Sequence, residues 1–67
     1  MAKIPLAAAR VAKGWTQAEL ARKLGVSTQT VWEWENEKSQ MKPAYLFAFC
    51  YVSGFHADDI LLPEKSS

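Results

Sequence analysis

The chain has 67 residues, 49% of them hydrophobic and 22% charged, with a net charge of +1. This length predicts one domain, residues 1–67, small enough that an efficient core or a partner is needed to stabilise it. Cys50 is the only cysteine and there is one histidine. A single cysteine excludes an internal disulfide and fits a reducing cytoplasm, and so few His and Cys ligands argue against a metal site.

The first predicted helix runs from Pro5 to Lys13 and ends at Gly14. It is rich in alanine, and glycine just past a helix is a common stop signal. Arg10 and Lys13 interrupt this apolar stretch too early for a secretory signal. No segment reaches the roughly 18 apolar residues that a membrane span requires, so we expect no membrane contact.

The second predicted helix begins with a capping box, in which the Thr16 side chain and the Glu19 side chain satisfy each other's backbone N–H groups. Trp15 and Leu20 have the spacing of a hydrophobic staple. Gly25 ends the helix. Its inner stripe is Leu20, Ala21 and Leu24, and its outer residues are Gln17, Arg22 and Lys23.

The next segment contains VWEWE, residues 31–35, which alternates like a half-buried strand. Five residues are too few to decide by alternation, and Ser27 upstream is a good N-cap. Val26 and Val31 repeat the staple spacing, and we see no strand partner elsewhere, so we predict a helix. On a helical wheel the inner residues are Thr30, Val31 and Trp34, the outer residues are Thr28, Gln29, Trp32, Glu33 and Asn36, and Glu35 lies at the border.

The fourth predicted helix runs from Pro43 to Ser53 and stops at Gly54. It is apolar nearly all round, so a second surface must pack against the face that does not contact the core. One stripe is Leu46, Phe49, Cys50 and Ser53, and the opposite stripe is Ala44, Phe47, Ala48 and Tyr51. Residues 56–62 read as a short fifth helix that starts at His56 and ends at Pro63, and residues 64–67 read as a loose tail.

Two helices joined by a tight glycine turn form a helix-turn-helix. The run TQAELARKLGVSTQTVWEWENEKS, residues 16–39, resembles the helix-turn-helix of the lambdoid phage repressor and Cro family, also called Xre-like. The resemblance implies an all-α, five-helix, lambda-repressor-like domain with the motif at about residues 16–36. It also implies binding to double-stranded operator DNA, usually as a homodimer, with the second motif helix in the major groove.

The same resemblance assigns the DNA contacts. The base-reading positions of the family match Thr28, Gln29, Trp32 and Glu33. The positions that contact the DNA backbone match Gln17, Ser27, Asn36 and Lys38. Some relatives pair the arginine and glutamate that match Arg10 and Glu35, which gives Glu35 a structural role. Glutamine suits adenine, because its amide can both accept from N6 and donate to N7.

Two residues depart from the family pattern. Glu37 stands where relatives often have glycine, and must adopt a left-handed or otherwise unusual backbone. Glu33 stands where relatives often have Arg, Lys or Gln; it can accept from cytosine N4 or simply repel phosphate. The second motif helix, predicted at residues 28–36, is the recognition helix. Because it carries no basic residue, affinity must come from the cations around it: Lys13, Arg22, Lys23, Lys38 and Lys42.

Other interpretations remain for several residues. Gln17, Gln29 and the lysines are also ordinary solvent-exposed residues, and Trp32 could instead make a dimer contact or pack on the fourth helix. Cys50 suits a small core position. One histidine and one cysteine cannot assemble a nucleophile, base and orienting group, so we expect no enzyme, cofactor or small-molecule ligand.

The expected function is a cytoplasmic, sequence-specific transcriptional regulator of phage repressor or Cro type, since this length leaves no room for a second domain. We expect a homodimer that buries part of the stripe on the fourth helix, together with Leu61 and Leu62. The alternative is a protein-interaction module that binds another regulator through Trp32, Phe47 and Tyr51.

Overall fold

The computed structural model describes residues 3–64 and contains four α-helices, a 3₁₀ turn and two very short strands. The helices are α1 (Leu6–Ala12), α2 (Gln17–Leu24), α3 (Thr28–Glu35) and α4 (Pro43–Ser53); the 3₁₀ turn is Ala57–Asp59, and the strands are β1 (Ile4–Pro5) and β2 (Ile60–Leu61). The four predicted helices are therefore confirmed, with α4 at its predicted bounds. No helix within residues 3–64 is long and apolar enough to cross a membrane.

The predicted caps hold the helix-turn-helix in place. The Thr16 Oγ1 accepts from the Glu19 N–H at 3.1 Å, and the Glu19 carboxylate accepts from the Thr16 N–H at 2.9 Å. The Ser27 Oγ accepts from the Thr30 N–H at 3.1 Å at the start of α3. Each cap supplies an acceptor to N–H groups that have no partner within the helix.

Glycine ends α1, α2 and α4 in the left-handed conformation. Gly14, Gly25 and Gly54 have φ values of 76°, 71° and 85°. Behind Gly25, the Val26 N–H reaches back to the Ala21 carbonyl at 3.0 Å, as in a Schellman motif. This motif reverses the chain within two residues, so α3 can pack directly against α2.

The core lies where α1, α2, α3 and α4 meet the C-terminal segment. Phe49 is fully buried, and its ring contacts Trp15 edge-on at 6.3 Å and Phe55 in a stacked arrangement at 6.2 Å between centroids. Trp34 is 3% exposed and packs against Tyr45. The buried apolar residues are Leu6, Ala9, Leu20, Ala21, Leu24, Val31, Trp34, Met41, Leu46, Phe49 and Ile60.

The predicted fifth helix at residues 56–62 is wrong, and the chain contains a pair of short strands that the sequence did not indicate. The segment forms one 3₁₀ turn, after which Ile60 pairs in parallel with Ile4. Successive side chains of this strand point to opposite sides, so Ile60 is buried whereas Leu61 is 56% exposed. The fold is thus a four-helix variant of the expected all-α domain. Of the predicted tail, only Glu64 lies within the described residues.

The two faces of α4 differ as predicted, with two exceptions. Leu46, Phe49 and Ser53 are buried, whereas Ala44, Phe47 and Tyr51 are exposed. Cys50 is only partly buried, and Ala48, predicted to face outward, packs partly against the core. Burial, followed by the nearby Asp59 carboxylate, raises the pKa of the Cys50 thiol.

Candidate nucleic-acid interface

The outer face of α3 carries the residues predicted to read bases. Thr28, Gln29 and Trp32 are exposed, and Glu33 is half-buried. Val31 and Trp34 point the other way, into the core. The alternation of VWEWE is therefore a helical pattern that separates Trp34, a core residue, from Trp32, which is 40% exposed.

A cluster of charged and polar groups ties α3 to α1 and α2. The Glu35 carboxylate accepts from Arg10 Nε at 2.7 Å, from Arg10 Nη2 at 3.1 Å and from Gln17 Nε2 at 2.9 Å. The Arg10 Nη1 group also donates to the Trp15 carbonyl at 2.8 Å. The predicted pair of Arg10 and Glu35 is present in the structure, and it is shielded, with side chains 15% and 6% exposed.

Gln17 has a partner that the sequence did not indicate. It was predicted to point outward, but it is half-buried and its amide nitrogen is held by Glu35. Its position at the first residue of α2 nevertheless leaves it beside α3, where it lines a shallow cleft together with Thr28, Gln29 and Trp32. The structure thus brings four of the eight predicted contact residues to one concave surface.

The end of α3 is closed by backbone bonds of the Schellman type. The Lys38 N–H donates to the Glu33 carbonyl at 2.8 Å, and the Glu37 N–H donates to the Trp34 carbonyl at 3.3 Å. Glu37 has φ 58°, the one positive φ among non-glycine residues 3–64, so the unusual backbone expected there is present. Asn36 adds a side-chain bond from Nδ2 to the Trp32 carbonyl at 2.9 Å.

A family model described as helix-turn-helix matches residues 6–50, which is more than half of the chain. The chain belongs to the helix-turn-helix family. Members of this family are DNA-binding domains, which agrees with the exposed polar face on the second helix of the motif. Comparison with curated proteins gave no match, and comparison with solved structures gave none.

Within this helix-turn-helix domain, α3 carries no cation, and the lysines lie on neighbouring segments. Lys38 and Lys42 are exposed in the segment that leaves α3. The ammonium groups of Lys13 and Lys23 lie 6.0 Å and 4.7 Å from the centroid of the Trp15 ring, which is within cation–π range. Lys23 is six residues from Gln17, or about 120° around α2, so it faces away from the cleft.

Ser27 is exposed, but its hydroxyl already forms hydrogen bonds within the domain. Its hydroxyl bonds both the Thr30 N–H and the Thr30 hydroxyl, the latter at 2.9 Å. A phosphate contact from Ser27 would therefore compete with the cap of α3 or use the backbone N–H, so its predicted role remains a prediction. The bond of Gln17 to Glu35 depends on how α2 packs against α3, which the local sequence leaves open, whereas the Ser27 cap is a local signal.

Proposed function

We propose that this helix-turn-helix domain is a sequence-specific regulator of transcription, of phage repressor or Cro type, that places α3 in the major groove of double-stranded DNA. The observation that carries the proposal is the cleft between the start of α2 and the exposed face of α3, lined by Gln17, Thr28, Gln29 and Trp32. When α3 lies in the major groove with this face toward the DNA, its amide, hydroxyl and aromatic groups reach the base edges. The function requires no catalysis, cofactor or small molecule, and we place it in the cytoplasm.

The backbone contacts of this proposal lie at the two ends of the reading face. Gln17 is the first residue of α2, where the N–H groups of the first turn favour phosphate, and its amide keeps a second N–H besides the one that bonds Glu35. Asn36 and Lys38 follow the end of α3, and both are exposed. We assign Thr28, Gln29, Trp32 and Glu33 to the bases and Gln17, Ser27, Asn36 and Lys38 to the phosphates.

The test is selection from random duplexes at a stated salt concentration, followed by binding assays on the best site and on random DNA. We expect Gln29→Ala to weaken binding to the best site by about 1–3 kcal/mol while hardly changing binding to random DNA. Arg22→Gln is the contrasting variant: it removes an exposed cation of α2 outside the cleft, so any loss of binding should be equal on the best site and on random DNA. Equal losses on both DNAs would remove Gln29 from the base-reading set, and absence of duplex binding would refute the function.

We also propose that the domain works as a homodimer through α4. Phe47 is 62% exposed and Tyr51 is 91% exposed, and Leu61 is exposed as well. Phe47 and Tyr51 lie one turn apart on α4, and a small domain seldom exposes such a stripe without a use. Operators of two half-sites also require two copies of the reading helix. Phe47→Lys should yield a folded monomer with weaker operator binding; an unchanged sedimentation mass would rule this interface out.

The same exposed aromatics support a second candidate, a module that binds another regulator through Trp32, Phe47 and Tyr51. The lack of any basic residue on α3 also favours it. Salt separates the two candidates, because phosphate contacts make DNA affinity fall steeply as salt rises. An apolar protein contact through Phe47 would hardly respond to the same change.

A further inference from the structure

The carboxylate of Glu33 lies beside the amide of Gln29. Gln29 Nε2 is 3.4 Å from Glu33 Oε2, and the two residues are four apart on the outer face of α3. At this spacing helical side chains are neighbours, and the side chain of the later residue leans over the turn that precedes it. Glu33 is therefore placed over Gln29 by the geometry of the helix itself.

From this contact we infer that Glu33 is a positioning residue that holds the Gln29 amide in the orientation that reads adenine, so that the two side chains recognise one base pair as a unit. The inference rests on the proposed function, since it requires α3 to lie in the major groove. It replaces both earlier interpretations of Glu33, a separate reader of cytosine and a simple source of repulsion.

The chemistry of the two groups gives the orientation. A carboxylate accepts hydrogen bonds only, so it attracts the nitrogen of the Gln29 amide and not the oxygen. The nitrogen carries two hydrogens, and one directed at Glu33 leaves the other beside the amide oxygen. These two atoms form the donor and acceptor pair that matches N7 and N6 of adenine.

Charge strengthens the same arrangement. A hydrogen bond to an ionised acceptor polarises the amide, which makes its oxygen a better acceptor for the adenine N6 group. Exclusion of water from the groove strengthens the contact further. In the opposite orientation the Gln29 amide would turn its oxygen toward the carboxylate, and the two oxygens would repel each other. Glu33 therefore also disfavours bases that require the opposite amide orientation.

The experiment is a double-mutant cycle on single base pairs. Wild type, Gln29→Ala, Glu33→Ala and the double variant are titrated against the selected site and against duplexes that change one base pair at a time. Gln29→Ala first identifies the pair that Gln29 reads, where discrimination should fall by about 5- to 150-fold. Glu33→Ala should reduce discrimination at that same pair by about two- to tenfold, and should cost nothing further when Gln29 is already alanine.

Controls separate position from charge and from folding. Glu33→Gln retains an oxygen acceptor and should keep part of the discrimination that Glu33→Ala loses. Asp58→Asn removes one negative charge from the exposed 3₁₀ turn next to α4 and should leave discrimination unchanged at every pair. Circular dichroism checks that each variant is helical.

The alternative results are distinct. Loss of discrimination at a different pair from that of Gln29 would show that Glu33 reads a base itself. Tighter binding to all duplexes with unchanged discrimination would show that it only repels phosphate. Either result overturns the inference and leaves the proposed function intact, whereas a wild-type protein with no preference among duplexes would refute the proposed function itself.

Discussion

Removal of one partner of the ion pair between Arg10 and Glu35 should destabilise the domain strongly. Glu35 joins three segments, because its carboxylate binds the side chains of Arg10 and Gln17 and Arg10 in turn binds the Trp15 carbonyl. In Glu35→Gln the guanidinium keeps its place, 15% exposed, but loses its charged partner. Removal of one member of a buried pair costs about 3–5 kcal/mol, and partial exposure of Arg10 reduces this to about 2–4 kcal/mol.

This loss is large beside the total stability of the domain. At about 0.05–0.15 kcal/mol per residue, 67 residues give a free energy of unfolding of roughly 3–10 kcal/mol. A change of about 1 kcal/mol moves the Tm of a domain this size by about 4–8 °C. We therefore expect Glu35→Gln to lower the Tm by about 8–30 °C, measured by circular dichroism and by urea titration.

A control variant and a double-mutant cycle test whether the unpaired buried charge causes this loss of stability. Glu33→Gln is the same chemical change on the outer face of α3 and should cost less than about 0.5 kcal/mol. The double variant Arg10→Met with Glu35→Met should be more stable than either single methionine variant, because it leaves no unpaired buried charge. Single variants that each cost less than about 1 kcal/mol, or costs that simply add in the double, would refute the reasoning.

Three further predictions concern other residues. Glu37→Gly should be more stable than Glu37→Ala by about 1 kcal/mol in urea titrations, because only glycine accepts φ 58° without a steric penalty; equal stabilities would mean that the left-handed turn relaxes. The Thr16 backbone N–H, and next the Thr16 hydroxyl, lower the pKa of the Glu19 carboxyl. As the pH falls, the unfolded chain therefore protonates Glu19 before the folded chain does. The stability that ionised Glu19 contributes is lost as the pH falls through the lowered folded-state pKa. Tm measured against pH should fall less in Glu19→Gln than in wild type below about pH 4, and parallel curves would contradict this. Lys38→Gln should reduce the slope of log K against log salt by about 0.9 for each protomer bound while base preference is unchanged; an unchanged slope would place Lys38 away from phosphate.

The helices could be predicted from the sequence because their signals are local. The capping box of Thr16 and Glu19, the Ser27 cap and the glycine stops each act over a few residues, and the structure has a helix boundary at every one. The left-handed Glu37 was not a local signal of this kind: it was expected from the resemblance, because relatives often have glycine at this position, and a tight end to α3 requires a positive φ there.

The C-terminal segment could not be predicted in this way. Asp58 and Asp59 early in the segment favour a helix start, and Ile60 and the two leucines suit either a helix or a strand. The pairing of Ile60 with Ile4 decides the outcome, and it joins residues at opposite ends of the chain. Neither partner shows a strand pattern of its own, since each strand is only two residues long.

Within the candidate site, the spacing of the residues decides what could be foreseen. Gln29 and Glu33 are four apart, so their contact was available from the sequence once a helix was predicted. Gln17 and Glu35 are 18 residues apart, and their bond exists because Gly25 reverses the chain and packs α3 on α2. Relations within one helix could be read from the sequence, whereas relations between helices needed the turn geometry.

The acidic residues of α3 bear on how such a domain would select DNA. Both of its acids have partners within the chain: Glu35 binds Arg10 and Gln17, and Glu33 contacts the Gln29 amide on the outer face. Binding to random DNA comes from neutralised phosphates, and a helix without cations supplies little of it. Under the proposed function, the base contacts then account for a larger share of the total affinity than they would in a basic recognition helix. A domain of this kind binds random DNA weakly, so little of the protein is held at non-specific sites. A single copy also binds its own site weakly, which is a physical reason for two copies to bind together.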